Sequence, residues 1–339
     1  MKSATQILLN GIQHYLCSTT LSGNTDKQKV YECISFVLGN EQAFTLPLFK
    51  AFREAREDIS KGNILPPEVL EGIRGMYHKN VSQKQILELT KDTSMTEKKK
   101  SLVQRKAKKE GVNIAFNPML RTANELYILA YAEGTTREIW DALMSKGRAG
   151  AKQLPVRFGK VGILVDDSFS MSGTDKQKLR PMAIALAMKD VLINTGETFV
   201  IKTASGRKIS RENPIPRPVG ATSLAFALID LLETGPDAVF IISDGYENSP
   251  SGRIDEVMRL ADRTGIRTPV YHLNPVVGSE SISGLRTLSE MIPTIPVSNP
   301  QGLALTLVRA MIEVDIERGI RALASMALPK IKQAACLPA

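Results

Sequence analysis

The strongest constraint on the fold is a regular alternation of short apolar segments with amphipathic segments between residues 160 and 273. The apolar segments are strand-length and rich in β-branched residues, whereas the segments between them have helical spacing. This alternation predicts the α/β class, a doubly wound (Rossmann-like) and mostly parallel sheet with helices on both faces. The predicted strands are 160–166, 197–203, 237–244 and 268–273, and the predicted helices are 178–196, 223–235 and 253–265.

The first 150 residues lack this alternation and predict helices separated by short breaks, such as those at Gly39–Asn40 and Gly62–Asn63. A HEAT-like stack of helix pairs is one packing for them, although no fixed-period repeat is visible. We therefore expect an all-α helical domain at 1–150, a linker at 151–159 and the α/β domain at 160–330. Three pairs fit the capping-box pattern that begins a helix, namely Ser82 with Gln85, Ser94 with Glu97, and Thr135 with Glu138.

Composition excludes several classes of protein. The chain has 339 residues, of which 43% are hydrophobic and 23% charged, so it is long and apolar enough to form two globular domains. No apolar run is long enough to span a membrane, and polar residues interrupt the first 20 residues, so neither a membrane span nor a secretion signal is expected. The three cysteines lack metal-ligand spacing, which predicts reduced thiols and a cytoplasmic location.

Oxygen-bearing side chains follow the ends of the predicted strands. Asp166, Ser168 and Ser170 come directly after the first strand, Thr222 lies in the loop before the second helix, and Asp244 ends the third strand. The carboxyl ends of parallel strands form the ligand-binding edge of such a sheet, so these five side chains are expected to lie together. The pattern therefore predicts a site whose donors are all oxygen atoms.

An all-oxygen site is suited to a hard divalent cation, Mg²⁺ or Mn²⁺. Because few of the donors are carboxylates, the ion keeps positive charge and can accept an anionic ligand, such as an Asp or Glu of a partner or a phosphate. The alternative is that the three hydroxyl residues only cap helices. That alternative leaves the two aspartates at strand ends unexplained.

Three short motifs carry a resemblance to a known family: Asp166-x-Ser168-x-Ser170-Met171, Gly220-Ala221-Thr222 and Ser243-Asp244-Gly245. In order and strand context they resemble the metal ion-dependent adhesion site (MIDAS) of a von Willebrand factor A (vWA) domain, over about residues 158–315. The resemblance implies that the two serines and Thr222 are direct or near-direct ligands and that the two aspartates hold the ion partly through water. It also implies a domain that binds partners and is not an enzyme.

No catalytic apparatus is indicated. The chain has no phosphate-binding loop, and Ser168 has no histidine nearby in the sequence. A metal-assisted hydrolase would need a general base near the ion, for which Asp167 is the one candidate. Asp167 also departs from the vWA pattern, which often has an apolar residue there. Its carboxylate either adds negative charge to the site or points away into a turn.

The net charge of +9 is concentrated in the first 150 residues, which have 22 basic and 16 acidic side chains. A run between residues 98 and 109 has seven basic residues and no acid, and it indicates either a solvated helix or an RNA-binding surface. The order of a helical region before a metal-site domain is similar to Ro (TROVE-type) RNA-binding proteins, and also to partners of MoxR-type ATPases. The basic residues of the run are Lys98, Lys99, Lys100, Arg105, Lys106, Lys108 and Lys109.

The leading hypothesis is an intracellular, metal-dependent binding protein that engages an acidic group of a protein partner through the bound ion. The alternative is a Ro-like ribonucleoprotein component with RNA on the basic helical domain. Neither hypothesis involves a membrane.

Overall fold

The computed structural model describes residues 24–335, apart from 40–43, 92–96, 208, 210–214, 222, 248–249, 277–284 and 299–302. The chain divides into two compact units, Met1–Asn117 and Pro118–Ala339. This division lies more than 30 residues before the predicted boundary, because two helices expected in the helical domain pack in the second unit.

The described part of the first unit is helical. Its apolar core joins the second, third and fourth helices through side chains such as Ala55, Leu70, Ile73 and Ile86. Pro67 lies in the first turn of its helix, where a backbone N–H would have no acceptor within the helix, so the N–H that proline lacks is not missed. The helices are α1 (Asn24–Val37), α2 (Pro47–Glu57), α3 (Pro67–Tyr77), α4 (Gln83–Thr90) and α5 (Glu97–Lys109).

The second unit contains a five-stranded, entirely parallel sheet in the order β2-β1-β3-β4-β5. The predicted parallel α/β class is therefore confirmed. The strands are β1 (Phe158–Val165), β2 (Gly196–Thr203), β3 (Ala238–Ile242), β4 (Val270–Asn274) and β5 (Thr294–Pro296). The helices are α6 (Ala123–Glu133), α7 (Arg137–Lys152), α8 (Arg180–Leu192), α9 (Leu224–Leu232), α10 (Arg253–Arg263), α11 (Leu303–Val314) and α12 (Ile316–Ala335).

Each face of the sheet has its own core. On one face, Leu164, Val239 and Ile241 pack against buried side chains of α9 and α10. On the other, the rings of Phe158, Phe240 and Tyr271 form a row with centroids 6.1 and 6.0 Å apart. Helix α8 also lies against β1 but contributes no residue to this α9–α10 core, so helices cover the sheet from both sides, as a buried parallel sheet requires.

Helix α8 explains why α6 and α7 belong to the second unit. Every residue from Pro181 to Leu192 is buried, since α8 lies against β1 on one side and against α6 and α7 on the other. The hydroxyl of Tyr127 on α6 donates a hydrogen bond of 2.5 Å to the buried Asp190 carboxylate on α8. The stretch 151–159, predicted as a linker, contains the end of α7 and the start of β1.

The predicted helix starts have different outcomes. Ser82 and Gln85 form the expected capping box at α4. The box predicted for Thr135 with Glu138 is wrong by one residue, because Thr136 caps α7 by accepting a hydrogen bond from the Ile139 N–H. The third predicted capping residue, Ser94, lies outside the described residues. None of the helices in the described part of the chain is both long enough and apolar enough to cross a bilayer.

Candidate metal centre

The strand order has its switch point between the ends of β1 and β3. From β1 the chain continues to β2 on one side, whereas β3, β4 and β5 lie on the other side. Such a switch point is where parallel sheets bind ligands. Asp166 and Asp244 both lie there, and the Asp166 N–H donates to the Ile242 carbonyl at 2.9 Å.

The loop after β1 holds the first three predicted ligands in one turn. The Asp166 carboxylate is fully buried and accepts a 2.9 Å hydrogen bond from the backbone N–H of Ser168. Ser168 precedes a short 3₁₀ turn, and its Oγ lies 3.0 Å from the Oγ of Ser170. The Asp-x-Ser-x-Ser spacing therefore gathers a carboxylate and two hydroxyls.

Asp244 joins this group from the end of β3. Its carboxylate is buried and accepts a hydrogen bond of 3.1 Å from the backbone N–H of Tyr246. The Ser243 hydroxyl, beside Asp244 in the same motif, donates to the Asp166 carboxylate, so the loop after β3 contacts the loop after β1. The two motifs lie more than 70 residues apart in the sequence but meet at one point.

The loop that carries the second motif lies against the first. The Phe169 N–H donates to the Gly220 carbonyl at 3.0 Å, and the Val219 N–H donates to the Asp167 carbonyl at 2.8 Å. Gly220 has φ of +75°, a conformation that favours glycine. Thr222 itself lies outside the described residues, so its position as a ligand stays a prediction.

The electrostatics of the site favour a cation. Burial, with a smaller contribution from the nearby Asp244 carboxylate, raises the pKa of Asp166 to about 6 against the hydrogen bonds from Ser243 and Ser168 that lower it. Burial also raises the pKa of Asp244, although Arg286 and the Tyr246 N–H oppose this. Two buried carboxylates that repel each other are stabilised by an ion between them.

The donor chemistry fits Mg²⁺ or Mn²⁺, because every side chain gathered here presents oxygen. Within the described residues no group of three or more His, Cys, Asp or Glu side chains could hold an ion, so softer metals that need nitrogen or sulfur have no comparable site. A site here depends on hydroxyl donors, which are neutral. The ion would therefore keep more of its charge than one held by carboxylates alone.

Asp167 faces away from these donors. Its buried carboxylate accepts hydrogen bonds from the backbone N–H and the hydroxyl of Ser205, at 2.9 and 2.5 Å, and lies 3.6 Å from the Nε of Arg207. Of the two alternatives, the structure favours a carboxylate that points into a turn. Asp167 joins the loop after β2 to the loop that carries the second motif.

Three residues that the sequence analysis did not select as ligands or supports position the site. Ser243 donates to the second oxygen of the Asp166 carboxylate at 2.6 Å, and Asn274 donates to the Asp244 carbonyl at 3.2 Å. Burial lowers the pKa of His272 to about 4, so its ring is neutral. Its Nε2 lies 2.9 Å from the Ser243 carbonyl and therefore carries the proton.

Of these three residues, only Ser243 could have been identified from the sequence, because it lies within the third motif. His272 and Asn274 lie on β4, and their roles follow from the pairing of β4 with β3.

The basic run forms α5, but its side chains do not share one environment. Lys99 contacts Glu68, and Lys100 pairs with Glu97 at 3.0 Å. The side chains of Lys98 and Arg105 lie outside the described residues. The exposed lysines at the end of α5 are Lys106, Lys108 and Lys109.

Comparison with known proteins gives no family for this chain: no family model matches it, and no curated protein matches it. The grounds for a function are therefore the motifs and the geometry of the site.

Proposed function

We propose that this protein holds one Mg²⁺ or Mn²⁺ at the β1–β3 switch point and uses the ion to bind an acidic group of a protein partner. The proposed ligands are Asp166, Ser168, Ser170, Thr222 and Asp244, in the manner of a vWA domain with a MIDAS. The observation that carries the proposal is the 2.6 Å hydrogen bond from the Ser243 hydroxyl to the Asp166 carboxylate, which joins the third motif to the first. Two of the three motifs thereby converge at the edge where parallel sheets bind ligands.

The chemistry of the donors supports binding through the metal. Mg²⁺ takes six oxygen ligands, and the proposed set has two carboxylates and three hydroxyls, with the carboxylates acting partly through water. A partner carboxylate can replace a water on such an ion. It would meet a cation whose charge the protein's own ligands have only partly neutralised.

The surroundings of the site also suit a protein partner. Phe169 lies between the two serine ligands and is 71% exposed, and Val219 and Tyr246 on the neighbouring loops are 46% and 40% exposed. Exposed apolar side chains beside a polar site are typical of an interaction surface. A partner with an acidic residue next to an apolar one would fit both features.

We propose binding rather than catalysis. The candidate general base, Asp167, is engaged by Ser205 and faces away from the donors. The proposed location is the cytoplasm, where the free and exposed thiol of Cys33 would stay reduced.

Isothermal titration with Mg²⁺ and Mn²⁺ tests the proposal. The wild type should bind one ion, whereas Asp166→Ala should lose binding because the ion loses a carboxylate. Asp230→Ala is the matched control, since Asp230 is an exposed aspartate that pairs with Lys202 and belongs to none of the three motifs. Equal binding by the wild type and Asp166→Ala, or no binding by the wild type, would contradict the proposal.

RNA binding by the first unit is the second candidate function. The exposed lysines at the end of α5 favour it, whereas the pairing of Lys99 and Lys100 with glutamates reduces the charge available to phosphates. Filter binding at two salt concentrations would show an affinity that falls with salt if phosphates are neutralised. Neutralising the exposed lysines should then weaken binding, and an unchanged affinity would remove this candidate.

A further inference from the structure

An open cavity of about 370 Å³ lies in the second unit, away from the candidate metal centre. It is bounded by the connection that leads into the amino end of β1, by α11 and by α12. The metal-site motifs follow the carboxyl ends of the strands, so the cavity lies toward the opposite edge of the sheet. It is independent of the proposed function.

The walls of this cavity are cationic. Arg157 lies in the connection before β1, and Arg318 and Arg321 lie on α12. Positions 318, 321, 322 and 325 have the spacing of one helix face, so both arginines of α12 face the cavity together. The guanidinium of Arg318 donates to the Arg157 carbonyl at 2.9 Å, which fixes α12 beside the connection.

Contacts within the protein engage part of each guanidinium: besides the bond made by Arg318, Arg157 donates to the Leu154 and Val156 carbonyls at 3.3 and 2.7 Å. Within the part of the chain that the structure describes, the cavity lining contains three arginines and no acidic residue. Arg321 pairs with Glu317 at 2.9 Å, but the side chains are 69% and 82% exposed, so water screens this pair. A guanidinium has several N–H donors, so all three arginines keep donors for an oxyanion beyond these contacts.

The floor of the cavity is apolar. Val156, Met311 and Ala322 line it and are buried. A fully hydrated inorganic anion would leave this floor without a partner, whereas an anion attached to an apolar or planar body would cover it. The volume is in the range of small-molecule sites.

We propose that this cavity binds a phosphate ester of a small molecule, with the phosphate on Arg157, Arg318 and Arg321 and the organic body on the apolar floor. The charge of the site selects the phosphate, and the floor selects an ester over free phosphate.

Titration calorimetry with phenyl phosphate and with inorganic phosphate tests this, in EDTA so that no metal ion can bind either anion. Phenyl phosphate should bind about tenfold more tightly than inorganic phosphate, because its ring is removed from water. Arg318→Gln and Arg321→Gln should each weaken phenyl phosphate binding about tenfold, since each loses a charged hydrogen-bond donor.

Arg259→Gln is the matched control, because Arg259 is as exposed as Arg321 and forms an i,i+4 ion pair, with Asp255, on α10. It should bind phenyl phosphate as the wild type does. Arg321→Gln removes only an exposed pair, so it keeps the test valid if Arg318→Gln does not fold. The proposal is overturned if phenyl phosphate fails to saturate the wild type, or if Arg259→Gln weakens phenyl phosphate binding as much as Arg318→Gln and Arg321→Gln do. It is also overturned if only an RNA oligonucleotide binds through these arginines.

Discussion

Replacing Asp166 with asparagine should stabilise the metal-free protein, although it should destroy the metal site. Burial raises the pKa of Asp166 from 3.8 to about 6, so keeping the carboxylate ionised at pH 7.5 costs about 3 kcal/mol of folding free energy. Asparagine has no charge to bury, its oxygen can accept from the Ser168 N–H, and its amide can donate to the Ser243 hydroxyl. We therefore expect a gain of about 2–3 kcal/mol at pH 7.5 in EDTA.

The sign of the pH dependence follows from the direction of the shift. Because the folded pKa lies above the unfolded one, the folded state takes up the proton first as the pH falls. The cost of Asp166 is therefore full above about pH 6 and vanishes below about pH 4. The advantage of Asp166→Asn over the wild type should shrink between pH 7 and pH 4.

Urea unfolding in EDTA at pH 7.5 and at pH 4.5 measures this advantage, and Asp230→Asn serves as the control that should show none. Saturating Mg²⁺ at pH 7.5 should then stabilise the wild type and leave Asp166→Asn unchanged, since only the wild type binds the ion. An Asp166→Asn protein that is no more stable than the wild type at pH 7.5 in EDTA would refute the electrostatic reasoning.

Three further substitutions test the network around the site and the packing of α8. The pKa of His272 is about 4 in the folded protein and 6.5 in the unfolded chain. Protonation of the unfolded chain should therefore remove up to about 3 kcal/mol of folding stability, which is present above pH 6.5 and lost as the pH falls toward 4. Urea unfolding of His272→Gln should lack this loss. Tyr127→Phe removes the hydrogen bond to buried Asp190 and should cost about 2 kcal/mol, measured by urea unfolding at pH 7.5. Asp167→Ala frees Ser205 and should weaken Mg²⁺ binding by calorimetry, whereas unchanged affinity would mean that the loop holds its place without Asp167.

The sheet and its ligand-binding edge could be predicted because their signals are local. The apolar run at 160–166 and the one at 237–244 correspond to β1 and β3, each within two residues at either end. Because the carboxyl ends of parallel strands share one edge of the sheet, Asp166 and Asp244 are placed there without knowledge of any contact. The Asp-x-Ser-x-Ser spacing alone brings the first carboxylate to its two hydroxyls.

The rest depends on contacts that no local pattern contains. Helices α6 and α7 have ordinary helical sequences. They belong to the second unit because they cover α8, in which every residue from Pro181 to Leu192 is buried. The close approach is visible at Gly147, where a Cβ atom would lie 2.8 Å from the Asp190 carbonyl oxygen. Strand β5 has only three residues and ends at Pro296, so neither its length nor its pattern indicates a strand.

The sequence likewise did not determine which way the Asp167 side chain points. Alternation predicts that neighbouring residues point to opposite sides, but it does not say which loop Asp167 meets. The structure supplies Ser205 as the partner, through a loop that follows a different strand.

Mn²⁺ binding followed by water-proton relaxation tests the central claim most directly, because the relaxation reports both the ion and the exchangeable water on it. We expect one Mn²⁺ per chain with enhanced relaxation, displaced by Mg²⁺ and lost in both Asp166→Ala and Thr222→Ala. Relaxation no different from that of free Mn²⁺, or equal enhancement in the wild type and both variants, would contradict a single ion held by these side chains with a position open to a partner.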